Sequence, residues 1–225
     1  MDVIFFYLKS RDQLPFTANY RVNKRAIMKN VQLIWAHPRT DSVTARVVDG
    51  VREELIAAGM NVSELDLYRS GFDAAMGEAD EPDWVNIDKA YSSDVQKLGR
   101  VLRAQDAVVF VFPVWWFSVP AILKGYIDRV WNFGIAYGGG LRLPFKTVRW
   151  IAVTGESEKT FTKRGLDKSM THQLNVGIAG LCGAEDSKVE YLFDVLGEEV
   201  TDLPTHHAAL IEQARQTVRD MVQEH

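Results

Sequence analysis

The chain has 225 residues, 47% apolar and 25% charged, the balance of an ordinary soluble globular protein, which excludes disordered, collagenous and coiled-coil classes. Lys and Arg number 26 against 30 Asp and Glu, a net charge of −4, so no broad cationic field recruits nucleic acid or anionic lipid. A single cysteine, Cys182, rules out an intrachain disulfide and a cysteine-built zinc cage, and no apolar run reaches the roughly 18–20 residues that span a bilayer. A cytoplasmic location is the expectation.

Residues 1–27 lack a small-residue cleavage site and read as an N-terminal extension, with one α/β domain over 28–225. The β-branched and aromatic stretch 31–36 predicts a buried strand that stops at His37, because Pro38 cannot continue a central ladder. Asp41 or Ser42 can cap the next helix, whose Val43, Val47, Val51 and Leu55 recur at i+4 until Gly59 closes it. Residues 62–67 predict a second strand, and 68–90, acidic and punctuated by Gly71, Gly77 and Pro82, a long excursion. A helix over 93–104 leads into 107–117, a continuous apolar run of the kind buried on both faces of a parallel sheet. Ser118 then stands as a cap, with Val119, Ile122, Leu123, Tyr126, Ile127, Val130 and Trp131 at helical spacing behind it. The glycine-rich 133–146 reads as a loop, 147–154 as a strand, 168–180 as a helix and 189–195 as the last strand. Leu203, Leu210, Ile211, Ala214, Val218 and Met221 mark one face of a closing helix.

Five strands alternating with helices define a doubly wound, mostly parallel sheet, and such sheets bind ligands beyond the carboxyl ends of their strands. That rule selects the loops opening at His37, Pro113 and Thr154. The first sets two hydroxyls, an imidazole and a guanidinium at a helix N-terminus, which suits a phosphate, although Asp41 or Ser42 could simply be capping. It lacks the glycine patterns of dinucleotide and Walker loops, so a flavin mononucleotide fits it better than a nucleotide triphosphate. Trp115, Trp116 and Phe117 could cover an isoalloxazine ring or could be core or interface residues. Other signals fall away: Gly155-Glu156-Ser157-Glu158 has Lys159 where a nucleophile elbow needs its second glycine. His206 and His207 face different ways on a helix, lack a third ligand and are expected to be exposed or capping, so no metal site is assigned. Cys182 reads as a small buried residue.

FPVWWFSVPAILKGYIDRVWNFGIAY resembles the signature of the flavodoxin-like NAD(P)H dehydrogenase (quinone) family, the DT-diaphorase relatives, and LIWAHPRTDSVTARV and VTGE resemble that family's first and third flavin loops. The likeness runs from about Val31 to the C-terminus. It implies a flavodoxin-like fold holding FMN or FAD, with His37, Ser42, Val43 and Thr44 on the phosphate. Pro113, Val114, Trp115, Trp116 and Phe117 would lie along the ring, and Thr154, Gly155 and Glu156 at its pyrimidine side. Trp116, Phe117, Tyr137 and Phe161 would sandwich the acceptor, with Tyr137 commonly presented across a homodimer interface. The implied reaction passes hydride from NADPH or NADH through the flavin to a quinone or similar planar acceptor. No catalytic acid or base is implied, because Phe161 and Asp167 stand where better-studied members place a tyrosine and a histidine. Some relatives instead act as ancillary subunits of glutathione-gated potassium efflux transporters, which makes a membrane partner the alternative role.

Overall fold

The computed structural model describes residues 28–198 and 200–225, so the expected extension over 1–27 lies outside the described residues. Five strands form one sheet, β1 (Asn30–Trp35), β2 (Asn61–Asp66), β3 (Ala107–Pro113), β4 (Thr147–Val153) and β5 (Asp186–Leu192). Their spatial order is β2-β1-β3-β4-β5 and every neighbouring pair is parallel. β3 and β4 are buried along their whole length, β3 as an unbroken apolar run and β4 with Arg149 buried and paired to Asp186, whereas the edge strands β2 and β5 are only partly buried.

Period-two alternation divides the core between the two faces of the sheet. Val31, Leu33 and Trp35 of β1 pack with α1 (Val43–Ala57) and α6 (Leu203–Gln223). Ile34, Phe110 and Trp150 belong to the opposite core, with α2 (Ser93–Arg103) and α3 (Ala121–Val130). Phe110 stacks on Trp150 at 4.3 Å between ring centroids, with Trp131 beside both. Truncating either stacked ring to alanine would cost about 3–5 kcal/mol.

Several elements differ from expectation, each for a local reason. β3 ends at Pro113, not at residue 117, because Trp116 and Phe117 adopt positive φ of 51° and 56° and reverse the chain. Ser118 is not a helix cap; its N–H and carbonyl close that reversal against Trp115, and α3 starts at Ala121 behind Pro120. The last strand begins earlier than the sequence pattern suggests, at Asp186, since an edge strand tolerates the polar Asp186, Ser187 and Lys188. A short α4 (Glu158–Lys163) precedes α5 (Leu166–His172), which runs on as a π-helical turn over Gln173–Gly180. His207 is buried, bonded through its ring nitrogens to Arg46 and the Val195 carbonyl, and His206 contacts the Phe193 carbonyl, so neither is an idle surface residue.

The excursion over 68–90 is ordered around one buried carboxylate. Asp80 accepts from the Ser92 N–H at 2.8 Å, the Ser92 hydroxyl at 2.9 Å and the Arg129 guanidinium at 2.6 Å, joining the start of α2 to α3. Arg129 also donates to the Asp73 carbonyl, and Asn132 to the Asp80 carbonyl. Burial pulls the Asp80 carboxyl upward, but the Ser92 and Arg129 bonds outweigh it and hold the group below the usual carboxylate range. Asp80→Ala should cost about 3–5 kcal/mol in urea unfolding, because Arg129 is left buried without its counter-charge. With the folded value depressed, this contribution is complete above pH of about 4 and is lost as pH falls through the folded value, a slope that the variant should lack.

Candidate active site

Three loops leave the carboxyl edge of the sheet side by side. At the first, Ser42 caps α1: its Oγ accepts from the Ala45 N–H and donates to the Arg39 carbonyl, both at 3.1 Å. The capping reading of Ser42 therefore holds, and its hydroxyl is committed to the helix. The N–H groups of Val43 and Thr44, first in the helix, have no partner among the described residues. His37 Nδ1 lies 3.0 Å from both the N–H and the carbonyl of Arg39, accepting from the first when bare and donating to the second when protonated. Burial is the largest influence lowering the His37 pKa, and the charges of Arg39 and Arg69 act in the same direction. Arg69 fixes the loop from outside, donating to the carbonyls of Pro38 and His37 while its guanidinium lies 4.8 Å from the Trp35 ring centre.

The second loop leaves β3 once the Val114 N–H has bonded the Val153 carbonyl at 2.7 Å. Trp115 and Ser118 exchange N–H···O bonds, both 3.1 Å, around Trp116 and Phe117, and positive φ at both central residues makes this a type I′ turn. Asn and Gly normally fill such turns, because a left-handed φ costs other residues about 1–2 kcal/mol. Trp116 is 94% exposed while Phe117 rests on the fully buried Phe161, ring centroids 5.9 Å apart. The N–H groups of Trp116 and Phe117 also have no partner among the described residues.

At the third loop, Thr154 continues the ladder through its N–H to the Leu192 carbonyl and accepts the Val195 N–H, while its Oγ1 accepts the Glu156 N–H at 3.2 Å. A Cβ on Gly155 would stand 2.9 Å from Leu196 Cδ1, so Leu196 occupies the space that a side chain would take. Leu196 sits on a turn built by Asp194, at φ 58°, and Gly197, at φ 72°.

Two adjoining cavities occupy this edge. One, of about 370 Å³, is lined by His37, Ser42, Val43, Thr44, Pro113, Val114 and Trp115 together with Arg39. The other, of about 320 Å³, is lined by Trp116, Phe117, Thr154, Glu156 and Phe161 together with Glu198. Val114, Gly155 and Leu196 border both. All twelve residues expected around a cofactor thus converge. Phe161 supports the second cavity from beneath Phe117, since no part of it is exposed. Tyr137 borders neither cavity; it packs with Phe133 and Trp84 at 5.9 and 6.3 Å. Leu196 and Glu198 were missed because their turn follows a polar edge strand; its only sequence signal is Asp194-Val195-Leu196-Gly197.

The remaining chemistry is bland. The buried Cys182 thiol is pushed up to about 12 by burial and does not ionise near neutrality. The described residues hold no His, Cys, Asp and Glu cluster suited to a metal and no helix long and apolar enough to cross a membrane.

A family model described as the flavodoxin-like fold matches residues 29–218, so the chain belongs to that family. An uncharacterized NAD(P)H oxidoreductase of Escherichia coli is 43% identical over 197 residues, 86% of this chain and 97% of the relative. An NAD(P)H:quinone oxidoreductase structure from Methanothermobacter marburgensis aligns at a TM-score of 0.77 and 26% identity, over 89% of this chain and 98% of that one. An FMN-dependent NADH-azoreductase from Bacillus anthracis, solved with FMN, shares the fold at a TM-score of 0.62 and 15% identity, over 87% of this chain and 100% of that one.

Trp116→Gly should raise stability by about 1 kcal/mol in urea unfolding: it removes the left-handed penalty of a tryptophan that buries almost nothing, less the chain entropy of glycine.

Proposed function

We propose that the chain binds one flavin across the two adjoining cavities and works as an NAD(P)H oxidoreductase that reduces a quinone or similar planar acceptor. One observation carries the reading: N–H donors without protein partners at Val43, Thr44, Trp116, Phe117 and Gly155 sit on three different loops that border the same pair of cavities. That donor set fits a flavin. Val43 and Thr44 offer a phosphate the positive end of α1, with neutral His37 beside them. Trp116, Phe117 and Gly155 offer donors to the carbonyl-rich edge of the ring. With one such helix terminus in the site, FMN is the form that the loops favour, in keeping with the FMN complex of the fold-mate.

The cofactor, when bound, supplies the hydride chemistry, and the chain supplies position. Trp115 and Trp116 cover planar surface, Phe117 is braced on Phe161, and Leu196 lies over Gly155 where the cavities meet. Phe161 offers no proton to transfer, and the Asp167 carboxylate borders neither cavity, its Oδ1 buried without a partner among the described residues. Excluding water and orienting donor and acceptor in turn is the chain's contribution. A homodimer accounts for Tyr137, which a second copy would have to bring to the pocket, and for exposed Trp84 and Trp116, which it would cover. No observation favours a potassium-efflux partner.

The purified protein should be yellow, bleach on anaerobic addition of NADPH or NADH, and recover colour when a small quinone is added. A protein that takes up neither FMN nor FAD would overturn the cofactor and the reaction together. Val43→Pro tests the phosphate contact without disturbing the helix, because proline is favoured at the first helical position and Ser42 already has the extended backbone that a following proline requires. Deleting that one N–H should weaken flavin binding by about tenfold or more while leaving thermal unfolding of the flavin-free protein unchanged.

A further inference from the structure

We propose that a slot between the β2 edge of the sheet and α2 is a second ligand site, for a small neutral aromatic molecule carrying an N–H donor. Gln32 interrupts the apolar stretch from Val31 to Trp35 of β1 and is 1% exposed, and its Oε1 accepts no hydrogen bond among the described residues. An unpaired amide in the middle of a buried strand works against folding unless something bonds it. The residue helps to line a cavity of about 470 Å³, within the size range of small-molecule sites.

The lining specifies the chemistry. Ser63, the register partner of Gln32 on β2, adds a hydroxyl beside the amide, and Leu65, Phe72, Leu98 and Val101 supply apolar walls. A donor group would meet the amide oxygen while a ring filled the rest. Water could bond the amide but would leave those walls wet. Most charge in the slot is paired: Arg129 with Asp80, Glu64 with Arg52, and Asp94 and Lys97 one turn apart on α2 with opposite signs, while Asp73 is exposed at the rim with its carboxylate accepting the Ala75 N–H. An uncharged ligand therefore fits better than an ion. The slot shares no residue with the two cavities of the proposed flavin site.

Indole and 1-methylindole, equal in shape but for the donor, are the probes, titrated calorimetrically into the full-length protein. Wild type should bind indole at least tenfold more tightly than 1-methylindole. Gln32→Leu, which keeps the volume and removes the acceptor, should erase that preference. Val101→Trp should abolish binding of both by filling the slot. Equal affinity for the two probes in wild type, a preference that survives Gln32→Leu, binding unaffected by Val101→Trp, or no binding of either probe at millimolar concentration would each overturn the proposal. None of these readouts depends on flavin reduction, so the second site fails or stands apart from the oxidoreductase reading.

Discussion

The carboxyl edge of a parallel sheet is where backbone hydrogen bonding runs out, and the rest of this molecule is arranged around that shortage. Each strand hands its last donors to its neighbour: the Leu67 N–H to the Trp35 carbonyl, the Ala36 N–H to Val111, the Val114 N–H to Val153, the Thr154 N–H to Leu192. Beyond that line the chain turns away, and the N–H groups of Trp116, Phe117 and Gly155 find no partner among the described residues. A buried, unpaired N–H costs about 1–3 kcal/mol, so this edge must stay open to water or accept a ligand rich in oxygen. The candidate site follows from the topology rather than being added to it.

The second loop shows how far the fold goes to keep its donors facing outward. A two-residue reversal with positive φ at both Trp116 and Phe117 is one that glycine and asparagine make without strain. Tryptophan and phenylalanine there trade stability for aromatic surface at the end of the central strand, and Phe161 beneath Phe117 holds the arrangement in place. Left-handed non-glycine residues gather just past strand ends, at Trp116 and Phe117 after β3 and at Asp194 after β5, on loops that border the paired cavities.

Much of this was legible in the residues. Fully buried β3 announces itself as an apolar run, α1 through its i+4 valines, and the rule that ligands gather beyond strand ends picks the three loops that border the paired cavities. What escaped did so for physical reasons. Hydrophobic pattern registers burial but not the sign of φ, so Trp116 and Phe117 read as more strand. An edge strand buries little, so the polar start of β5 and the turn bearing Leu196 carry no pattern. The acidic excursion looks like a loose loop because its organising contact, Asp80 with Arg129, joins residues 49 apart in the chain. Tyr137 was placed by resemblance, and within one chain it packs elsewhere.

The two sides of the molecule meet in that excursion. At its start, Arg69 grips the carbonyls of His37 and Pro38 and so sets the first loop; at its far end, Asp80 locks α2 to α3. A segment that contributes no residue to either cavity thereby fixes one of their walls. With apolar side chains and backbone N–H groups forming much of the cavity walls and several neighbours spent on positioning, the division of labour is plain. Reactivity is left to a bound group, and selectivity rests on the shape and rigidity that this remote bonding imposes.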